Sequence, residues 1–117
     1  MPPTLAGSWF TGGKGGIVFA LVVRFDCRDE VAAARFDELT VSVVRQIAER
    51  EPGTLVYATS VVDGEPLARV FYEVYRDRDA FEAHENAEHV RRFHELKNPL
   101  LTATRVEFLE PGPAVQR

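Results

Sequence analysis

Residues Thr54 to Tyr75 read TLVYATSVVDGEPLARVFYEVY, and their punctuation decides the fold. Two β-rich runs, Thr54 to Val62 and Pro66 to Tyr75, meet at Asp63-Gly64, a dipeptide suited to the positive-φ turn of a tight hairpin. The two runs are therefore expected to pair antiparallel. Along the second run, Phe71, Glu73 and Tyr75 share one face with Arg69, while Val70, Tyr72 and Val74 share the other. In the first run, Leu55, Tyr57 and Val61 stand against Val56, Ala58 and Val62, so neither face is polar.

Upstream of the hairpin, Glu30 to Glu51 repeats apolar residues at Ala32, Phe36, Leu39, Val43 and Ile47, one stripe at helical spacing, with Arg35, Glu38, Arg45 and Glu49 opposite. Asp29 is placed to cap this helix, and Pro52-Gly53 ends it, Gly53 by tolerating the chain reversal. Before it, Ile17 to Phe25 is almost wholly apolar until Arg24, the pattern of a strand covered on both sides. Downstream, Asp77 opens a helical region carrying Ala80, Phe81 and His84. Asn86 is expected to cap a second segment with Val90, Phe93 and Leu96, and Pro99 closes it. Ala103 to Leu109 forms a last strand.

The order βαββαβ folds into a four-stranded antiparallel sheet with both helices on one face. This is an α+β, ferredoxin-like domain spanning 17–110. Residues 1–16, with two prolines and Gly12, Gly13, Gly15 and Gly16, are expected to form a flexible arm in which Trp9 and Phe10 seek a surface, and 111–117 a tail. The uncovered apolar sheet face predicts a homodimer packed face to face.

Totals narrow the function. A chain of 117 residues with a net charge of -4 and 45% hydrophobic residues is one ordinary globular domain. Its basic residues are outnumbered by acidic ones and form no stripe, so no nucleic-acid partner is expected. The apolar run Ile17 to Val23 is too short to span a bilayer and has no signal-peptide flank, which gives no membrane partner and a cytoplasmic expectation. The single cysteine, Cys27, reads as a small buried hydrophobe. Lys14 is followed by glycine rather than Ser or Thr, and a strand comes next, so the glycine cluster is not a phosphate loop.

Chemistry concentrates between Phe71 and His94, which holds all three histidines of the chain. Glu73, a carboxylate between two aromatics, needs a partner if buried, and His84 is the expected one. That contact serves equally as a structural tie between helix and sheet. His84 and His89 are five apart, which on a continuous helix turns the imidazoles about 140° from each other. The zinc-binding pattern needs four, and with no third ligand no metal is expected.

The run Phe71-Tyr-Glu-Val-Tyr75, the Asp beyond it, Ala80 to His84, then His89 and Phe93 resembles the signature region of the antibiotic-biosynthesis monooxygenase family of dimeric α/β barrels. The resemblance covers the chain from the first strand to about Leu109. It implies oxygenation by molecular oxygen of an electron-rich aromatic such as a quinol, an anthrone or a polyketide phenol, with no cofactor. By position it implies Glu73, His84 and His89 as catalytic residues. Tyr57, Arg69, Tyr72 and Tyr75 become candidate donors to the substrate, and Phe71, Phe81 and Phe93 the wall. Tyr75 stands where the family frequently has Trp.

Two other readings accompany it. A haem-degrading relative places a haem-distorting tryptophan ten residues before its iron-binding histidine. His84 to His94 repeats the interval without the tryptophan, and the first strand lacks those enzymes' asparagine. His94 is then a solvated helix residue. The other alternative is a non-catalytic dimer that binds or sequesters an aromatic intermediate of a pathway.

Overall fold

The computed structural model describes residues 18–117. The expectations for the N-terminal arm, Trp9, Phe10, the glycine cluster and Ile17 fall outside the described residues. Within them the chain runs β1 (Phe19–Cys27), α1 (Glu30–Arg50), β2 (Thr54–Val62), β3 (Glu65–Tyr75), α2 (Arg78–Asn86), α3 (Glu88–Lys97) and β4 (Leu101–Leu109), with a short 3-10 turn at Asn98–Leu100 before β4.

The sheet order is β2-β3-β1-β4, every neighbouring pair antiparallel, which is the ferredoxin-like arrangement. Gly64 takes the turn between β2 and β3 at φ 79°, the left-handed conformation that costs glycine least. Two aspartates start α1 and α2: the Asp29 carboxylate accepts from Ala32 N at 2.8 Å, and Asp77 from Ala80 N at 2.8 Å. Each satisfies a backbone donor that the first helical turn leaves without a partner.

The second helical region departs from expectation in two places. Asn86 caps nothing ahead of it; its side chain donates back to Glu82 O at 2.9 Å. The break is at Ala87, whose extended backbone (φ -68°, ψ 140°) separates α2 from α3 without a side-chain cap. On α3 the buried positions are His89, Val90, Phe93 and Lys97, while Leu96 is exposed. Lys97 lies four residues beyond Phe93 and so falls on its stripe; Leu96 lies one position off it.

Gly53 also differs from its reading. Its need is space: a Cβ there would stand 2.7 Å from the Ala80 Cβ, closer than real side chains approach. The β2 entrance and the start of α2 therefore touch, and Arg76 N donates to Gly53 O at 2.8 Å across the same junction.

The core lies between the sheet and the helices. Leu21, Val23, Phe25 and Cys27 of β1 and Phe71 and Tyr75 of β3 meet Phe36, Val43 and Ile47 of α1 and Val90 and Phe93 of α3. Phe25, Phe36 and Phe71 form a mutual cluster with centroids 4.9 to 5.8 Å apart. Such edge-on and tilted pairs add roughly 0.5–1.5 kcal/mol each beyond the area they bury.

The other sheet face is apolar at one end only. Val18, Ala20 and Val74 are buried there with Val56 against them. Further along, Arg24 bonds Asp26 and Glu65, and Arg105 bonds Glu107. The expectation of an apolar second face thus stops after Val22, because the even-numbered positions of β1 become charged beyond it. β4 is an edge strand. Its residues Val106 and Phe108, opposite Val23 and Leu21 and so on the helix side, are 47% and 63% exposed. No helix among the described residues is long and apolar enough to cross a membrane.

Candidate active site

A cavity of about 180 Å³ lies between the helix side of the sheet and the helices α2 and α3. Leu21, Val23 and Phe25 make its floor and Phe81 and Phe93 its walls, with Thr104, Val106 and Phe108 of the edge strand at the rim. Since the last two are exposed, the cavity opens to solvent beside β4. Into these apolar surroundings project Tyr57, Glu73, His84, Glu85, His94 and Lys97.

Glu73 sits opposite Leu21 on one side and Tyr57 on the other, in the middle of the sheet. Its partner is the Tyr75 hydroxyl, which donates to Oε1 at 2.5 Å, and not His84 as the sequence suggested. Both residues lie on the same face of β3, two positions apart, so the strand itself presents the donor. Burial raises the Glu73 carboxyl to about 7, against the opposing pull of the Tyr75 hydrogen bond, with Glu85 and Glu51 adding repulsion. A carboxyl poised there holds or releases a proton at neutral pH.

His84 finds its partner at the end of α1. Glu51, the residue on which that helix ends before Pro52, turns its carboxylate under α2. Its Oε1 meets His84 Nδ1 at 2.7 Å and the Thr54 hydroxyl at 2.7 Å, and its Oε2 meets His89 Nε2 at 2.5 Å. The two imidazoles converge because Ala87 breaks the helix between them, cancelling the 140° divergence that a single helix would impose. Burial alone would raise Glu51, but the hydrogen bonds from Thr54, His84 and His89 outweigh it and hold the carboxylate below its usual range.

His84 is 2% exposed. Burial lowers its pKa, with Glu51 partly countering, so the ring is neutral at pH 7. Glu51 is an acceptor, which places the imidazole hydrogen on Nδ1 and the lone pair on Nε2. The Tyr57 and Tyr75 rings flank it with centroids at 5.5 and 5.1 Å. The other nitrogen, Nε2, borders the cavity with Glu85 Oε2 at 4.0 Å. A ring fixed by a carboxylate on one nitrogen and open on the other can act as an oriented general base.

At the other end of the cavity, Lys97 is 4% exposed. Its Nζ donates to Asn98 Oδ1 at 2.8 Å and stands 4.9 Å from the Phe25 centroid and 5.8 Å from that of Phe93. Burial brings its pKa down to about 8, with Glu85 and Glu73 resisting. Glu85 faces His94, Oε1 to Nε2 at 3.8 Å.

The family model for antibiotic biosynthesis monooxygenases matches residues 18–96, the whole span from β1 into α3. The chain belongs to the antibiotic biosynthesis monooxygenase family. Solved structures agree on the fold. A candidate antibiotic biosynthesis monooxygenase of Caulobacter crescentus superposes with a TM-score of 0.77 at 21% identity, over 84% of this chain and 92% of that one. One from Nitrosomonas europaea gives 0.74 at 20% identity, over 82% and 91%. The Mycobacterium tuberculosis protein Rv0793 gives 0.75 at 23% identity, over 85% and 99%. No curated protein matches the chain.

In this member of the monooxygenase family the residues singled out from sequence divide sharply. Tyr57, Glu73, Phe81, His84 and Phe93 line the cavity. His89 does not; it buttresses Glu51 from the far side, bordering an outer groove with Arg50 and Arg76. Tyr75 stands behind Glu73, and Phe71 is core. Arg69 is turned toward α1, bonded to both oxygens of Asp37 at 2.8 and 3.0 Å. Tyr72 is exposed on the opposite face of the sheet. His94, expected in solvent, is a half-buried wall residue.

Glu51 and Lys97 were not foreseen, and Glu85, inside the Phe71 to His94 stretch, has no role in the sequence reading. Glu51 ends a helix like many surface glutamates, and nothing local marks it as the carboxylate for two distant histidines. Lys97 did carry a signal, since it completes the Val90, Phe93 stripe at helical spacing.

Proposed function

We propose that this monooxygenase-family protein inserts oxygen from O2 into an electron-rich aromatic, a quinol, an anthrone or a polyketide phenol, bound in the cavity between sheet and helices. The observation that carries it is the neutral His84, fixed through Nδ1 by Glu51 and bordering an apolar cavity beside Glu73. His84 Nε2 takes the acidic proton of the bound phenol or anthrone methylene. The resulting anion passes an electron to O2, and radical and superoxide combine at a ring carbon that bears hydrogen, the former methylene of an anthrone or the ortho or para position of a phenolate, to give, once protonated, a hydroperoxide. Loss of water leaves the carbonyl, so that R2CH2 and O2 become R2CO and H2O. The substrate supplies all the electrons.

Glu73, near half-protonated at neutral pH, is the group suited to deliver the proton that the departing water needs. The apolar walls keep bulk water from the reactive anion. The cavity is smaller than the roughly 300 Å³ at the low end for drug-sized ligands, so a polycyclic substrate rests partly on the exposed rim of Val106 and Phe108. The active unit in this reading is a homodimer joined through the opposite sheet face, where exposed Tyr72 and half-buried Val22, Val56 and Val70 offer surface to bury and the ion pairs of Arg24 and Arg105 offer register.

Oxygen uptake with a panel of anthrones, hydroquinones and naphthols under 18O2 is the test. The expected result is one 18O in the product and a loss of about 100-fold or more in His84→Ala. Uptake no faster than in buffer across the panel, or full turnover by a folded His84→Ala, would overturn the reading. Tight binding without uptake would instead make the protein a carrier of the aromatic. A mass of one chain by light scattering would remove the dimer.

A further inference from the structure

The proposed reaction uses His84 and Glu73 and leaves Lys97 without a role. Yet Lys97 is the most anomalous group in the cavity. An ammonium with three N–H donors is enclosed between the Phe25 and Phe93 rings, 4% exposed, and Asn98 Oδ1 is the acceptor it reaches among the described residues. The rings offset part of the lost hydration by cation–π attraction, but they accept no conventional hydrogen bond. A buried cation with donors left over is costly unless something supplies acceptors and charge.

The neighbouring carboxyls do not meet that need. Glu85 stands between His94 and His84, and Glu73 accepts from Tyr75. Both lie in the cavity wall, but neither is within salt-bridge distance of Nζ. The ammonium lies over the Phe25 ring, four positions along β1 from Leu21, the residue that faces Glu73.

We propose that Lys97 is an anion subsite, and that the natural substrate is an aromatic acid: a phenol or anthrone carrying a carboxylate that seats on Nζ while the reacting ring lies toward His84 and Glu73. This rests on the oxygenation reading for which ring reacts, but not for binding. One cavity thus contains both an anchor, Lys97, and a base, His84. Two-point attachment fixes which carbon of the ring faces His84, and that sets regiochemistry.

The test is a matched ligand pair, 1-hydroxy-2-naphthoate and 1-hydroxy-2-naphthamide, titrated by fluorescence against the full chain at pH 7 without turnover. The wild type should bind the carboxylate about tenfold or more tightly than the amide, the margin of a charge-assisted over a neutral hydrogen bond. Lys97→Met should erase that margin and leave amide binding within about twofold. Equal affinity for the two ligands in the wild type overturns the proposal, as does a margin that persists in Lys97→Met. If Lys97→Met does not fold, Lys97→Gln removes the charge and keeps a donor, and the wild-type pair remains decisive alone. Carboxylate preference without oxygen uptake would count against the reaction and not the subsite. Uptake confined to neutral quinols would count against the subsite and not the reaction.

Discussion

The Tyr75 hydroxyl and Glu73 Oε1 are 2.5 Å apart, both buried in the fold, and each adds to the shift that burial imposes on the other or opposes it. The phenol is pushed far above its ordinary value, by burial first and then by the carboxylate. In return it is the main force restraining Glu73 from rising beyond about 7. Tyr75→Phe should therefore move Glu73 upward. Carboxyl 13C titration of selectively labelled protein reads this directly, and an unchanged midpoint would contradict the assignment of Tyr75 as the donor.

Glu73→Gln should change the pH dependence of stability. The folded-state value of about 7 lies above the ordinary carboxylate value of 4.5, so the native state holds its proton more tightly than the unfolded chain. Stability from this group is complete below about pH 4.5 and is lost as pH rises through 7. Removing the charge should abolish that decline and leave the variant more stable at pH 8, by on the order of 3 kcal/mol. Thermal melts at pH 5 and pH 8 should show the two proteins close at the first and separated at the second.

Glu51→Gln strikes His84 and His89 together. Without the carboxylate, His84 loses the larger part of what opposes burial, Glu85 keeping the rest, so its midpoint falls further. The acid limb of the rate profile should then move to lower pH while kcat drops by about 100-fold, because the ring is no longer held. Stability should fall by about 1–3 kcal/mol for donors left in a buried place. A variant that loses stability but keeps both kcat and the pH limb would make Glu51 structural only.

Gly53→Ala should destabilise by roughly 1–3 kcal/mol through overpacking, since Ala80 has no flexible end to move and α2 must shift as a body. Gly64→Ala is a useful contrast. A Cβ there meets nothing within 4 Å among the described residues, but the residue sits at φ 79°, so its cost is backbone strain. Denaturant melts of the two variants separate these causes if the first, and not the second, also perturbs ligand binding beside α2.

The scaffold was legible because its signals are local. Asp63-Gly64, the α1 stripe from Ala32 to Ile47 and the Asp29 and Asp77 caps each act within a few residues of themselves. The cavity was legible in part. Alternation on β3 put Glu73 on the helix side, and helical spacing put His84 over it. The link between them was not, since the pairing of Glu51 with two histidines 33 and 38 positions away depends on how helix ends meet after folding. Arg69 and Tyr72 show the converse. Alternation gave their faces correctly, but Asp37 on α1 draws Arg69 away from the cavity, and Tyr72 belongs to the side on which no helix packs among the described residues.

The single extended residue at Ala87 makes the length of the α2–α3 junction a setting for the whole site. Each residue added or removed in a helical register turns the downstream helix by about 100°, enough to carry His89 off the carboxylate that His84 shares. Insertions there should be rare in functional relatives. Histidines spaced by five with an interruption between them, together with an acidic residue closing the preceding long helix, make a better search pattern for this arrangement than any spacing taken from an unbroken helix.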